Sequence, residues 1–222
     1  MTPKSDFRLY LVTDRPLSGG RDITEIVLKA VSGGVTAVQL REKDCSSREF
    51  LQQAAALKKA LAGKGVPLII NDRADIAMAC HADGLHIGQS DIPFRAAREL
   101  LGPEAIIGLS VETPEQAKEA EGLDADYIGA SAVFPSSTKD VDRVSGLDGL
   151  ARLRGMSRHV IVGIGGINAD NAGSVIAAGA DGIAVVSAIC SDAKPEAAAA
   201  RLREAVDSAL ERRNHTTVQA KG

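Results

Sequence analysis

The sequence predicts an α/β fold, a single closed (β/α)8 TIM barrel, and three observations predict it. Eight short runs rich in Val, Ile and Leu recur along the chain. Each is followed by a segment that can form a helix, the alternation that repeated βα units and a parallel sheet leave in a sequence. The chain has 222 residues and is 45% hydrophobic, which suits one sizeable core, since single barrels run to roughly 200–250 residues. The competing architecture is an open doubly wound sheet, which requires a topological switch point; eight units in one uninterrupted chain point to closure. No Pro-rich or Gly/Ser-rich linker divides it, so residues 1–213 are expected to form one barrel domain and 214–222 a disordered tail.

In a barrel, function gathers where strands end, so the polar residue closing each apolar run is the one to examine. The first run is 8–14. The second, 37–42, continues into Lys43, and strand alternation puts Gln39, Arg41 and Lys43 on one side with Val38 and Leu40 on the other. Two cations then point one way, either as an anion site, with a planar Arg fork beside a compact Lys charge, or as a solvated strand end. The helix after it, 46–62, carries Phe50, Leu51, Ala54, Leu57 and Leu61 as one apolar stripe. The third run, 67–72, ends in Asn71-Asp72, and the fourth, 84–88, leads into Gln89-Ser90-Asp91. Asp72 and Asp91 sit at neighbouring strand ends; they either share a hard cation such as Mg²⁺, or one caps a helix near Arg73 and the other opens a turn.

The fifth run, 106–111, contains Ser110 and is followed by Thr113-Pro114-Glu115, a helix start with Thr as N-cap and Pro at the first helical position. After the sixth, 127–131, the polar stretch 134–146 includes Ser136, Thr138 and Lys139. It exceeds the usual βα loop of roughly 2–6 residues. It is either a lid that carries Lys139 to an anion or a surface loop. The seventh run, 160–165, passes into Gly165-Gly166, and the eighth, 182–189, contains Val186 and Ser187. Together they match the phosphate site that barrels build from the loops after strands seven and eight, because glycine lets phosphate approach backbone N–H groups. The spacing is not that of a dinucleotide fingerprint. The last helix, 197–212, is amphipathic through Leu202, Val206 and Leu210.

Composition excludes several classes. Lys and Arg total 26 against 29 Asp and Glu, and aromatic residues are 3% with no Trp. No nucleic acid partner is expected from that balance. No membrane association is expected either, because the N-terminal apolar run is too short for a span or a signal peptide. Cys45, Cys80 and Cys190 are odd in number and unpaired in spacing, which fits a reducing cytoplasm better than a disulfide framework or a zinc site. The four histidines show no metal-ligand spacing; His86, inside a strand, is expected to be a hydrogen-bonded structural residue, and Tyr10 and Tyr127 are expected to pack.

Read in order, YLVTD (10–14), QLREK (39–43), INDR (70–73), ADGLHIGQSD (82–91), GLS (108–110), STK (137–139) and VGIGGI (162–167) resemble the thiamine-phosphate synthase family over nearly the whole barrel. The resemblance implies a transferase of thiamine biosynthesis. It would condense 4-amino-2-methyl-5-pyrimidinylmethyl diphosphate with 4-methyl-5-(2-phosphooxyethyl)thiazole to give thiamine monophosphate and diphosphate, by dissociative loss of diphosphate, with Mg²⁺ as cofactor. By the same resemblance, Gln39, Arg41, Lys43, Asn71, Ser110 and Lys139 would hold the pyrimidine diphosphate, Asp72 and Asp91 the metal, and Ser136, Thr138, Gly165, Gly166, Val186 and Ser187 the thiazole phosphate. Catalysis would fall chiefly to Arg41, Lys43, Lys139 and Ser110. One departure is visible: the loop reads Ser-Ser-Thr-Lys at 136–139 where Thr-x-Thr-Lys is expected. Two alternatives stand beside this reading, a thiazole tautomerase-like isomerase, which would be expected to carry His where this chain has Ala132, and a non-catalytic binding protein for a phosphorylated ligand.

Overall fold

The computed structural model describes residues 5–135 and 145–219. Eight parallel strands close into a barrel in sequence order. They are β1 (Leu9–Val12), β2 (Ala37–Leu40), β3 (Leu68–Asn71), β4 (Gly84–Ile87), β5 (Ile106–Val111), β6 (Tyr127–Ala130), β7 (Ile161–Ile164) and β8 (Gly182–Val185). β8 pairs back with β1, Tyr10 lying opposite Ala184, which excludes an open sheet. The intervening helices are α1 (Ile23–Ser32), α2 (Ser47–Leu61), α3 (Ala74–Ala79), α4 (Phe94–Leu101), α5 (Pro114–Ala120), α6 (Gly146–Met156) and α7 (Ala172–Ala177), with α8 (Ser187–Cys190) and α9 (Pro195–Gln219) after β8.

Strand alternation sorts the core into two layers. Leu9, Leu11, Val38, Leu40, Leu68 and Ile70 belong to the layer that packs against the helices, with Phe50, Ala54, Leu57 and Leu61 of α2 among their neighbours. Tyr10, Val12, Ala37, Ile69, Tyr127 and Val162 form a second cluster that fills the barrel. The Tyr127 ring lies over Gly108, where a β-carbon would collide with it. A side chain as large as Tyr therefore fits inside only because β5 carries Gly there.

Helix starts follow the sequence signals. Thr113 caps α5, its hydroxyl accepting from the Gln116 amide at 3.3 Å while Gln116 reaches back to the Thr113 amide, a capping box that begins at Pro114. Ser46 and Glu49 form the same box at α2. Two expectations need correction. The eighth run ends as a strand at Val185, and Ser187–Cys190 turns into the short helix α8. The tail expected from Asn214 is helical as far as Gln219, since no Gly or Pro interrupts α9 before that point. Among the described residues no helix is long and apolar enough to cross a membrane.

Candidate active site

The C-terminal ends of the strands surround a cavity of about 530 Å³, within the range typical of small-molecule sites. Strand parity decides what faces it. From β1 come Tyr10, Val12 and Asp14, and from β2 Gln39, Arg41 and Lys43, each set two residues apart along its chain. Arg41 donates from Nη1 to Asp14 Oδ2 at 3.1 Å, and its amide donates to Thr13 Oγ1 at 3.1 Å. Asp14 thus orients the guanidinium, whose other nitrogens make no hydrogen bond among the described residues. Lys43 Nζ lies 2.6 Å from Asp72 Oδ2. The two cations and Asp72 meet at one rim of the cavity.

Asp72 is one of two described non-glycine residues with positive φ, at 62°. The Arg73 amide donates to the Asn71 carbonyl at 2.7 Å across it, and the Asp72 amide donates to the His86 carbonyl at 2.9 Å. A conformation that L-residues rarely adopt is held there by the turn and by β4. Asp72 is not the cap of α3; Arg73 occupies that position and no side chain caps it. Asp91 Oδ2 accepts from the Gly88 amide at 2.7 Å, so it does close a turn, and it also stands beside Asp72. Burial pushes the Asp91 carboxyl above its ordinary value, the Gly88 amide opposes this, and the adjacent Asp72 carboxyl reinforces it. The two adjacent carboxylates present an oxygen-only donor pair to a hard cation. Among the described residues no group of three or more His, Cys, Asp and Glu has metal-binding geometry. Two protein carboxylates with the remaining shell supplied by water and phosphate is how Mg²⁺ is usually held, and the pair fits that ion.

Across the barrel, Gly165 (φ 104°) and Gly166 (φ 62°) line the same cavity with Val186 and Ser187. A β-carbon at Gly165 would lie 2.8 Å from Ala132 Cβ, and one at Gly166 would meet the Pro135 carbonyl oxygen and lie 2.8 Å from Phe134 Cβ. Glycine is required twice over here, by backbone conformation and by close approach. Asn71 and Ser110 also line the cavity. Ser136, Thr138 and Lys139 lie outside the described residues.

The profile of the family described as Thiamine monophosphate synthase matches residues 9–189. The chain belongs to the thiamine monophosphate synthase family. It is 52% identical over 202 residues to the thiamine-phosphate synthase of Albidiferax ferrireducens, covering 90% of this chain and 92% of that relative. It is 52% identical over 201 residues to that of Syntrophomonas wolfei, covering 90% and 96%. A solved thiamine phosphate pyrophosphorylase from Pyrococcus furiosus superposes with a TM-score of 0.85 at 39% identity, covering 93% of this chain and 98% of that one. The fold and the family expected from the motifs are both borne out.

Sequence reasoning missed several residues of the family cavity. Tyr10 and Tyr127 do pack, yet their hydroxyls lie 2.9 Å apart, and the Gln39 amide donates to Tyr10 at 2.9 Å. His86 is hydrogen-bonded as expected, but its partners are Tyr127 and the cavity residue Ser110, each at 2.9 Å. Burial raises the pKa of both phenols, so each keeps the proton it needs to donate. Gln89 donates to the Ser110 carbonyl at 2.6 Å. Alternation along β1 was the available signal: Tyr10 and Asp14 share the face of Val12, and in a closed barrel that face is interior.

Proposed function

We propose that this chain joins 4-amino-2-methyl-5-pyrimidinylmethyl diphosphate to 4-methyl-5-(2-phosphooxyethyl)thiazole, giving thiamine monophosphate and diphosphate. The observation that carries this reading is one cavity with two unlike linings: the charged Arg41, Lys43, Asp72 and Asp91 from the ends of β2 to β4, and Gly165, Gly166, Val186 and Ser187 from the ends of β7 and β8. Family membership supports it. Two phosphorylated ligands meeting in one chamber suit a condensation in which only one of them loses its phosphates.

The roles follow from charge development. The bond between the pyrimidine methylene and the diphosphate oxygen breaks, and its electron pair leaves with diphosphate. Arg41, braced by Asp14, and Lys43 face the oxygens on which negative charge grows, and preorganised donors of this kind typically contribute roughly 3–4 kcal/mol each to barrier lowering. Lys139, which the sequence places in the loop after β6, would add a third cation. Mg²⁺ held by Asp72 and Asp91 would, when bound, neutralise further charge on the departing diphosphate. Gln39, Asn71 and Ser110 orient the pyrimidine. Gly165, Gly166, Val186 and Ser187, with Ser136 and Thr138, hold the thiazole phosphate so that the ring nitrogen is presented to the electron-deficient methylene, where its lone pair forms the new C–N bond. No protein nucleophile or general base is required.

Ala132 is buried and lines the cavity, so the place where a thiazole tautomerase would be expected to carry a histidine offers no acid or base. A reaction in the cytoplasm accords with phosphorylated reactants that do not cross bilayers unaided and with three free thiols. Diphosphate release, followed with each substrate alone, with both, and with or without Mg²⁺, tests the reading. Release is expected only when both substrates and the metal are present. Release from the pyrimidine diphosphate alone at the same rate, or thiazole isomerisation without diphosphate, would overturn it.

A further inference from the structure

Gln39 on β2 and Ser110 on β5 are joined through the barrel interior by one line of hydrogen bonds. The Gln39 amide nitrogen donates to the Tyr10 hydroxyl, the Tyr10 and Tyr127 hydroxyls pair, Tyr127 meets His86 Nδ1, and His86 Nε2 meets Ser110 Oγ, each contact 2.9 Å long. The Gln39 amide nitrogen can only donate, and neither Tyr10 nor Tyr127 has a hydrogen-bond partner outside this line among the described residues, so the arrangement that leaves neither buried hydroxyl proton unused runs in one direction from Gln39. Tyr10 accepts from Gln39 and gives its own proton to Tyr127. Tyr127 in turn donates to His86 Nδ1, so the imidazole carries its proton on Nε2 and donates that to Ser110 Oγ. With its oxygen accepting from His86, Ser110 keeps its own proton for another acceptor, and Ser110 lines the cavity. Tyr127 also stacks on the imidazole, with ring centroids 5.5 Å apart at 23°, which holds the ring plane in line with both partners.

We propose that His86 is a positioning residue: fixed as the Nε2–H tautomer by Tyr127, it makes Ser110 a hydrogen-bond donor aimed at acceptor atoms of the pyrimidine diphosphate. The proposal rests on the reading above for the identity of the ligand, but the tautomer does not. A serine hydroxyl otherwise rotates among donor and acceptor arrangements. Fixing it in advance removes that reorganisation from the binding and bond-breaking steps, as the partners behind metal-bound histidines do for their ligands.

Nitrogen-15 NMR of histidine-labelled protein, without ligand, reads the tautomer directly. The chain has four histidines, and the His86 signal is assigned by its loss in His86→Gln. The wild type is expected to show protonated Nε2 and bare Nδ1; protonated Nδ1 would reverse the chain and overturn the proposal. In Tyr127→Phe the Nε2–H preference is expected to weaken and kcat to fall roughly 10- to 100-fold with a smaller change in KM. Unchanged tautomer and kcat in that variant would also overturn it. His86→Gln, which keeps a donor toward Ser110, is expected to exceed His86→Leu in kcat, and equal rates in the two would reduce the histidine to a space-filler. Should the wild type make no thiamine monophosphate at all, the reaction assigned above fails, whereas the tautomer is still decided by the spectrum.

Discussion

Asp91 combines a structural and an electrostatic task in one carboxylate. It holds the turn after β4 through the Gly88 amide, and burial together with the neighbouring Asp72 carboxylate raises its own pKa. Such an arrangement is stabilised by a cation or a proton between the two. Asp91→Ala is therefore expected to cost only about 1 kcal/mol of stability, one hydrogen bond's worth. It should nevertheless lower Mg²⁺-dependent turnover by roughly 10²- to 10³-fold. An unchanged Mg²⁺ titration in steady-state kinetics would remove Asp91 from the metal site. Asp72 gives a complementary test, because its positive φ favours glycine. Asp72→Gly is expected to match or exceed Asp72→Ala in thermal stability while both lose turnover, which separates backbone strain from carboxylate chemistry. The charged residues were legible in the sequence because alternation from one strand end was enough to place them. The Tyr10–Tyr127–His86 line was not, because its links join β1, β6 and β4 and no local pattern reports a contact between residues more than a hundred positions apart.

Among the elements, the loop after β7 makes the sharpest statement about the second substrate. Gly166→Ala would place a methyl group against the Pro135 carbonyl and Phe134. Its KM for the thiazole phosphate is expected to rise by about 10-fold or more, with pyrimidine diphosphate affinity little altered; equal losses for both substrates would mean general unfolding of the rim. Away from the site, Glu121 at the end of α5 ties the segment after α6 to the barrel. Burial disfavours its ionised form, but the Ser157 hydroxyl, the Arg158 amide and the Arg158 guanidinium outweigh this and lower its pKa from the ordinary 4.5 to about 2. A carboxylate with a lowered folded-state pKa contributes stability that is complete above about 4.5 and is lost as pH falls toward 2. Glu121→Gln should thus flatten the acid limb of the stability curve between these values; an identical limb in the variant would contradict the role. The helix signals at Thr113 and Ser46 were readable because capping is decided within four residues. The extent of α9 was misread because polarity alone does not end a helix, and its terminal turns contain no breaker.

For the whole molecule, eight repeats with inward and outward residues alternating were enough to indicate a closed sheet, and closure converts eight separate strand ends into one ring. That step carries Arg41 and Lys43, legible as a pair of like-facing cations, to the same cavity as Gly165 and Gly166, more than a hundred residues later. The central claim is that the leaving diphosphate and the thiazole phosphate occupy opposite walls of this ring. A crystal structure with thiamine monophosphate, diphosphate and Mg²⁺ bound tests it most directly. Diphosphate density between Arg41 and Lys43, a metal shared by Asp72 and Asp91, and the thiazole phosphate against Gly165, Gly166 and Ser187 are expected. Diphosphate seated in the glycine cradle instead, or a metal bound away from both aspartates, would contradict the account.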